Sequence, residues 1–359
     1  MSEIHVVVGG AFGSEGKGNV TGWLARTRKI NHVVRVAGPN AGHSAYDAQG
    51  RKWALRQVPI AAVTNPDCEL YIAAGSEIDF DVLEDEIKRL DNAGFHILGR
   101  LHVDASATLI TEQHRIEERA VDLTGRVGST GKGIGAARAE RIMRKADTWL
   151  DLYESDEAPE WVGSVLCYDV ARRLTELLRT YPKEQVLIEG TQGYGLGLHT
   201  PWYPQTTSSD ARAIDFLAMA GLSPWMDGVD VNVWVVYRTY PIRVAGNSGP
   251  MYREIDWETL AERSGGYIEP EHTTVTGKVR RVGEWDDALA ISALVANGGP
   301  SENVHPVLLF LDYIFPDIVH LPGPGDWGVD VWNFLNTKSD LLRTRIAAVG
   351  TGPDTIWSL

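Results

Sequence analysis

The sequence predicts an α/β protein with a largely parallel central sheet flanked by helices, and three observations carry that prediction. Short apolar, β-branched runs recur along the 359 residues. Helical patterns of period 3.6 lie between them. Glycine-rich turns follow several of the runs, as they do where open α/β sheets hand a strand on to a helix.

The strand-like runs are Ile4–Val8, His32–Val36, Leu70–Ala74, Phe95–Val103, Val186–Ile188, Val231–Tyr240 and Val307–Tyr313. In "DFDVLEDEIKRL", Phe80, Leu83, Ile87 and Leu90 fall on one helical face, with Asp79 as N-cap. "GSVLCYDVARRLTELLRTY" and "EWDDALAISALVANGG" read as longer helices, the second closed by glycine. The acidic "DLYESDEAPE" reads as a solvated loop, with a binding patch as the alternative. No repeat, low-complexity stretch or linker interrupts the chain, so residues 1–359 are expected to form a single domain.

Thirty-four basic against 48 acidic residues give a net charge of -14, with a pI near 5.2. That balance excludes a nucleic-acid polymer as partner, because a phosphate backbone demands basic surface. Small anionic ligands need only local donors. Cys68 and Cys167 fit no metal spacing and suggest a reducing compartment. "MSEIHVVVGG" does not read as a signal peptide. No run reaches the ~20 apolar residues of a membrane span. A cytoplasmic protein with no membrane partner is expected.

Five stretches carry candidate chemistry. "GGAFGSEGKGN" (residues 9–19) follows a strand and opens a helix, the setting of a phosphate-loop-like nucleotide site. It departs from the standard loop, since Gly18 follows Lys17 where Ser or Thr is usual. Its amides and Lys17 suit terminal phosphates; a plain tight turn is the alternative. "RVAGPNAGHS" (35–44) projects Asn40 and His43 from a second turn, His43 being a candidate acid or a packed histidine. "GSTGKGIGAA" (128–137) offers Ser129, Thr130 and Lys132 as a second anion cradle or a structural loop. "IEGTQGYGLG" with "YPQTTSSDA" places Glu189, Gln192 and Thr207 beyond a strand's carboxyl end, where open sheets bind ligands. "TTVTGKVRRVGEWD" (273–286) holds Lys278, Arg280 and Arg281, a clamp for carboxylate or phosphate or else a salt-bridged hairpin.

Read together, "GSEGKG", "GPNAGH", "STGKGIG", "EGTQG", "TGKVRR" and the terminal "TGPD" (351–354) resemble the adenylosuccinate synthetase family, in family order and over nearly the whole chain. The resemblance implies a ligase that joins a 6-oxopurine nucleotide to L-aspartate using a nucleoside triphosphate and Mg²⁺. The γ-phosphoryl passes to O6, and the aspartate amine then displaces phosphate. By resemblance, Ser14, Lys17 and His43 are the catalytic positions. The triphosphate falls to Ser14, Glu15, Gly16, Lys17, Gly18, Gly42, His43, Gln192, Arg280, Asp312, Gly350 and Gly352. The nucleotide monophosphate falls to Ser14, Asn40, Ser129, Thr130, Gln192, Thr207 and Lys278, with Arg144 reaching it across a homodimer interface. Thr274, Val275, Thr276 and Arg280 match the loop that closes over aspartate, and Ser14 and the Gly42 carbonyl match the metal position.

Three departures from the family pattern bear on the substrate. Ser14 stands where the family has an aspartate that accepts the purine N1 proton and binds the metal. Lys278 replaces an arginine associated with the ribose hydroxyl. Phe310 replaces a lysine beside Asp312, the acid that reads guanine in GTP, so ATP or dATP is expected as donor. A short, neutral serine leaves room beside N1 and C2 for a 2-amino group. That points to the branch of the family in bacteriophages whose DNA contains 2,6-diaminopurine, which condenses dGMP with aspartate to 2-amino-2'-deoxyadenylosuccinate. The alternative is an ordinary adenylosuccinate synthetase using IMP and GTP. A GTPase switch is disfavoured, because "NTKSD" at 336–340 has the wrong spacing for a guanine motif.

Overall fold

A computed structural model describes residues 1–266, 268–273 and 277–359. The chain is a mixed α/β protein; among the described residues ten strands form one large, mostly parallel sheet, as expected, and the others form small two- and three-stranded sheets. It divides into two compact units. The first comprises residues 1–7, 18–191 and 213–231; the second comprises 8–17, 192–212 and 232–359.

In the first unit, the strand Ser2–Gly9 pairs in parallel with Gln185–Glu189, which pairs with His32–Arg35. Glu69–Ile72, Leu101–Asp104 and Leu166–Cys167 follow, all parallel. The runs are buried along nearly their whole length, which is why they read as continuous apolar stretches. Register places Arg35 beside Glu189, each the last residue of its strand. The helix Phe80–Asn92 forms as expected, with the Asp79 side chain accepting from the Val82 amide.

Two expected elements are shorter than their apolar patterns. The run Phe95–Val103 pairs only from Leu101, because the Phe95 amide turns back to the Leu90 carbonyl and the Ile97 amide to the Asp91 carboxylate. The helix expected from Gly163 starts at Val170, where the Asp169 side chain caps it, and Leu166–Cys167 pair as a short strand instead.

In the second unit, Val229–Arg238 pairs in parallel with Val304–Leu309. Ala348–Gly350 continues in parallel, and Ile356–Ser358 closes antiparallel. The expected strand to Tyr313 stops at Leu309. Phe310 takes a left-handed backbone (φ +62°), and Leu311–Tyr313 form a 3₁₀ turn. Asp287–Ala296 is a helix, as its pattern predicts; Asp286 caps its start, and Asn297, just before the expected glycine, caps its end. Among the described residues, no helix is long and apolar enough to cross a membrane.

One polar cluster of the first unit has a consequence for stability. His32 is buried at the start of its strand, with Nδ1 3.1 Å from the Tyr71 hydroxyl. Burial lowers its pKa, with Arg173 and His102 adding to the effect and Glu184 and Glu69 opposing it. A folded pKa below the ordinary value of about 6.5 means that the unfolded chain binds more protons as pH falls. The contribution is therefore complete above about pH 6.5 and shrinks below it. Melting temperature should decline on acidification through that window, and His32→Gln should flatten the decline; an unchanged slope would show that His32 does not carry it.

Candidate functional site

In the first unit the site grows from the parallel register. Arg35 ends an apolar strand with its guanidinium buried, so it needs an acceptor. Glu189, fully buried on the neighbouring strand, supplies one, and the two are in direct contact. The hairpin that begins at His43 brings its ring to the same carboxylate, with Nδ1 2.5 Å from Oε1. The Ile60 amide binds the other oxygen at 2.8 Å. Burial alone would raise the Glu189 carboxyl, but Arg35 and His43 outweigh it and hold it below its ordinary value. Nδ1 also lies 2.6 Å from Arg35 Nη1, so its role depends on the tautomer; with its proton on the side of Glu189, Nε2 is the ring's second proton site.

The turn before His43 is also held by arginines. Arg35 Nη2 donates to the Ala41 carbonyl (2.8 Å) and Arg56 Nε to the Pro39 carbonyl (2.6 Å), on either side of Asn40. Gly18 explains the departure from the usual phosphate loop. A Cβ there would lie 2.7 Å from the Ser44 carbonyl and 2.8 Å from His43 Cβ, so neither Ser nor Thr fits.

The stretch 128–137 is a cradle of a different kind from the one its glycines suggest. The amides of Gly133 and Gly135, where the helix Ile134–Ile142 begins, both donate to the buried carboxylate of Glu118 at 2.8 Å. Those donors are filled from within. Ser129, Thr130 and Lys132 remain half-buried, and Ser129 Oγ accepts from the Gly131 amide at 3.2 Å. Arg144 lies just past the same helix, exposed and left-handed (φ +60°), beside exposed Ile142 and Met143.

In the second unit the loop after Gly9 folds around Glu15. Its Oε1 accepts from the Ala11 and Gly13 amides at 3.1 and 2.7 Å, and its Oε2 pairs with Lys17 Nζ at 2.7 Å. Glu15 and Lys17 are both buried. The expectation of an open amide cradle is corrected for these two amides, because an internal carboxylate occupies them. Gly193 makes this packing possible, since a Cβ there would sit 2.6 Å from the Gly13 amide nitrogen.

Ser14 stands exposed at the loop tip in a left-handed conformation (φ +59°), flanked by Gly13 and Gly16 with φ of +84° and +92°. Its carbonyl accepts from Arg238 Nη1 at 3.0 Å, and its hydroxyl is in contact with Arg280 Nη1. Gln192 is also left-handed (φ +60°). The Thr207 amide bonds to the Leu196 carbonyl at 2.8 Å, which lays the Thr207 segment along the strand-following loop that holds Gln192. Burial pushes the Asp312 carboxyl above its ordinary value, with Arg238 opposing. Gly350 ends its strand and Gly352 follows in the terminal turn. Lys278 is exposed, its amide bonded to Thr273 Oγ1 at 3.0 Å. Thr274, Val275 and Thr276 lie outside the described residues.

Sequence reasoning passed over Arg35, Arg238, Glu118 and Glu271 as site residues. The arginines carry a legible signal: each is a charge closing an otherwise apolar, buried strand, "HVVR" and "VWVVYR". Such a charge is retained only with a partner. The glutamates lie in ordinary surface-like helix and loop sequence, and nothing local marks them.

Among the described residues, no cluster of three or more His, Cys, Asp or Glu could hold a metal. Oxygen donors suit Mg²⁺, which commonly binds through few protein ligands together with substrate phosphates. The Gly42 carbonyl fits such a donor set. The Ser14 hydroxyl, already against a guanidinium, is a poor second one.

A large, mostly parallel sheet flanked by helices places the chain in the mixed α/β class. Comparison with known proteins narrows the class. The profile of the adenylosuccinate synthetase family matches residues 6–172 and 164–304. The adenylosuccinate synthetase of Methanococcus aeolicus is 37% identical over 351 residues, covering 97% of this chain and 96% of the relative. That of Thermococcus sibiricus is 37% identical over 296 residues, 82% of this chain and 80% of the relative. Among solved structures, the cyanophage S-2L succinoaminodeoxyadenylate synthetase bound to dGMP and dATP as an energy donor superposes with a TM-score of 0.78. It is 26% identical, covering 100% of this chain and 95% of that one. Fully ligated adenylosuccinate synthetase from Plasmodium falciparum shares the fold, with a TM-score of 0.82 at 18% identity over 99% of both chains. The chain belongs to the adenylosuccinate synthetase family, carbon–nitrogen ligases of purine biosynthesis that use Mg²⁺.

Proposed function

We propose that this enzyme condenses dGMP with L-aspartate, driven by ATP or dATP, to give 2-amino-2'-deoxyadenylosuccinate, ADP or dADP, and phosphate. One observation carries the reading: a serine, not a carboxylate, stands at the exposed tip of the phosphate-loop-like turn. The likeness to a phage synthetase bound to dGMP and dATP supports it. The 37% identity to archaeal adenylosuccinate synthetases supports the second reading, IMP with GTP.

In this mechanism the donor's γ-phosphoryl is transferred to O6 of guanine, breaking its bond to the β-phosphate oxygen. The aspartate amine then attacks C6, and phosphate leaves with O6. Lys17 supplies the cation that stabilises the transferring phosphoryl. His43, held through Nδ1 by Glu189, presents Nε2 as the acid. Ser129, Thr130 and Thr207 hold the monophosphate, Arg144 reaches it from a second copy, and Asn40, Gln192 and Lys278 complete the nucleotide's contacts. The exposed Ile142 and Met143 beside Arg144 favour such a homodimer. Arg280 and the segment 274–276 receive aspartate. Bound with the triphosphate and the Gly42 carbonyl, Mg²⁺ would neutralise phosphate charge.

The test is the ratio of kcat/KM for dGMP and IMP in wild type and Ser14→Asp. A carboxylate at this position would crowd the space beside C2 and would pair with Arg280, which already touches the serine hydroxyl. Loss of shape complementarity costs about 1–3 kcal/mol, so the dGMP preference should fall by about tenfold or more. An unchanged ratio, or one shifted towards dGMP, would show that Ser14 does not read the base.

The donor is tested separately. Phe310 packs its ring on the Arg238 guanidinium, 4.0 Å away, and offers no cation to a base. Initial rates with ATP or dATP should exceed those with GTP. A clear GTP preference would show that Asp312 still selects guanine.

A further inference from the structure

We propose that Arg238, with Glu271 as its counter-ion, is a positioning residue that holds Ser14 in its left-handed conformation at the loop tip. The inference rests on the reading of Ser14 as a substrate-facing residue.

Arg238 is the last residue of the strand Val229–Arg238 and is 1% exposed. Its guanidinium is engaged through both terminal nitrogens, while Nε is buried without a hydrogen-bond partner. Nη2 and Nη1 meet the two Glu271 oxygens at 2.5 and 3.3 Å, and Nη1 also donates to the Ser14 carbonyl at 3.0 Å. The Phe310 ring covers its face, and the Tyr313 hydroxyl donates to Glu271 Oε1 at 3.3 Å. Burial works against both charges, yet mutual attraction keeps Arg238 above and Glu271 below their ordinary values, so the pair is ionised.

Stability does not account for such a pair. Buried ion pairs are commonly replaced by apolar residues of similar volume without loss, because desolvation offsets their attraction. What an apolar pair lacks is a donor for the Ser14 carbonyl. Ser14 needs one: a non-glycine residue in the left-handed region persists only where its surroundings hold it there. Two arginines do so, Arg238 on the carbonyl and Arg280 on the hydroxyl. Arg280 is anchored through Nε on the His272 carbonyl, next to Glu271 in sequence. The pair therefore ties the loop tip to the segment that carries Arg280. Displacing a reacting group by about an ångström can cost a hundredfold in rate.

The experiment removes both charges together, as Arg238→Met with Glu271→Leu, so that neither is left buried and unpaired. Melting temperature should stay within a few degrees of wild type, while kcat falls by about tenfold to a hundredfold with dGMP and IMP alike and KM changes little. Arg238→Lys, which keeps a cation and a donor, should recover most of kcat. Should the apolar pair fail to fold, Arg238→Gln with Glu271→Gln carries the same measurement, since a glutamine is too short to reach both Ser14 and residue 271. Wild-type kcat in either double variant overturns the proposal, as does a lysine variant no faster than the double. The Ser14→Asp ratio is read independently. If that ratio is unchanged while the double variant is slow on both nucleotides, positioning stands and only the base reading falls.

Discussion

Lys17→Ala and His43→Ala should each lower kcat by about a hundredfold, since loss of one group that stabilises a developing charge costs ~3 kcal/mol. The two should differ in stability. Lys17 is buried against Glu15, so its removal leaves a buried carboxylate with two amides and no cation in contact. His43 is one of several partners of Glu189, and its loss leaves the Arg35–Glu189 pair in place. Single-turnover kinetics with thermal melts check both points. Near wild-type turnover in either variant would remove that residue from the chemistry.

Glu189→Gln should damage stability and rate together. The amide keeps an acceptor but not the charge, and Arg35 is left buried without a counter-ion. Breaking a buried pair in this way costs about 3–5 kcal/mol. The melting temperature should fall well below that of His43→Ala, and kcat should fall because His43 loses the carboxylate that orients its ring. If Glu189→Gln melts like wild type, Arg35 finds its partner elsewhere and the carboxylate is not the centre of the cluster. If it is destabilised but turns over normally, His43 does not depend on Glu189.

Much of the site was legible as local sequence. The glycine-rich loops, their order and the strands before them are written in runs of a few residues. The helix start at Asp79 follows from short-range capping, which needs only the neighbouring amides. Some element boundaries differ from their apolar patterns for the same reason in reverse. The 95–100 and 163–169 stretches are apolar enough to extend their elements, but turns and a cap at Asp169 end them first.

By itself, then, the sequence determined the α/β class, the five loops, the family they belong to and the anomaly at Ser14. The tertiary structure alone decided which charges those loops contain and which donors stay open. Arg35 meets Glu189 across 154 positions, and Arg238 meets the Ser14 carbonyl across 224. A buried charge announces that it needs a partner, but only the register of parallel strands says which residue arrives beside it. The amides at Ala11, Gly13, Gly133 and Gly135 look open to a phosphate in any glycine-rich sequence. They are filled here because Glu15 and Glu118 fold back onto them, and a carboxylate's reach is a matter of distance in space, not of spacing along the chain.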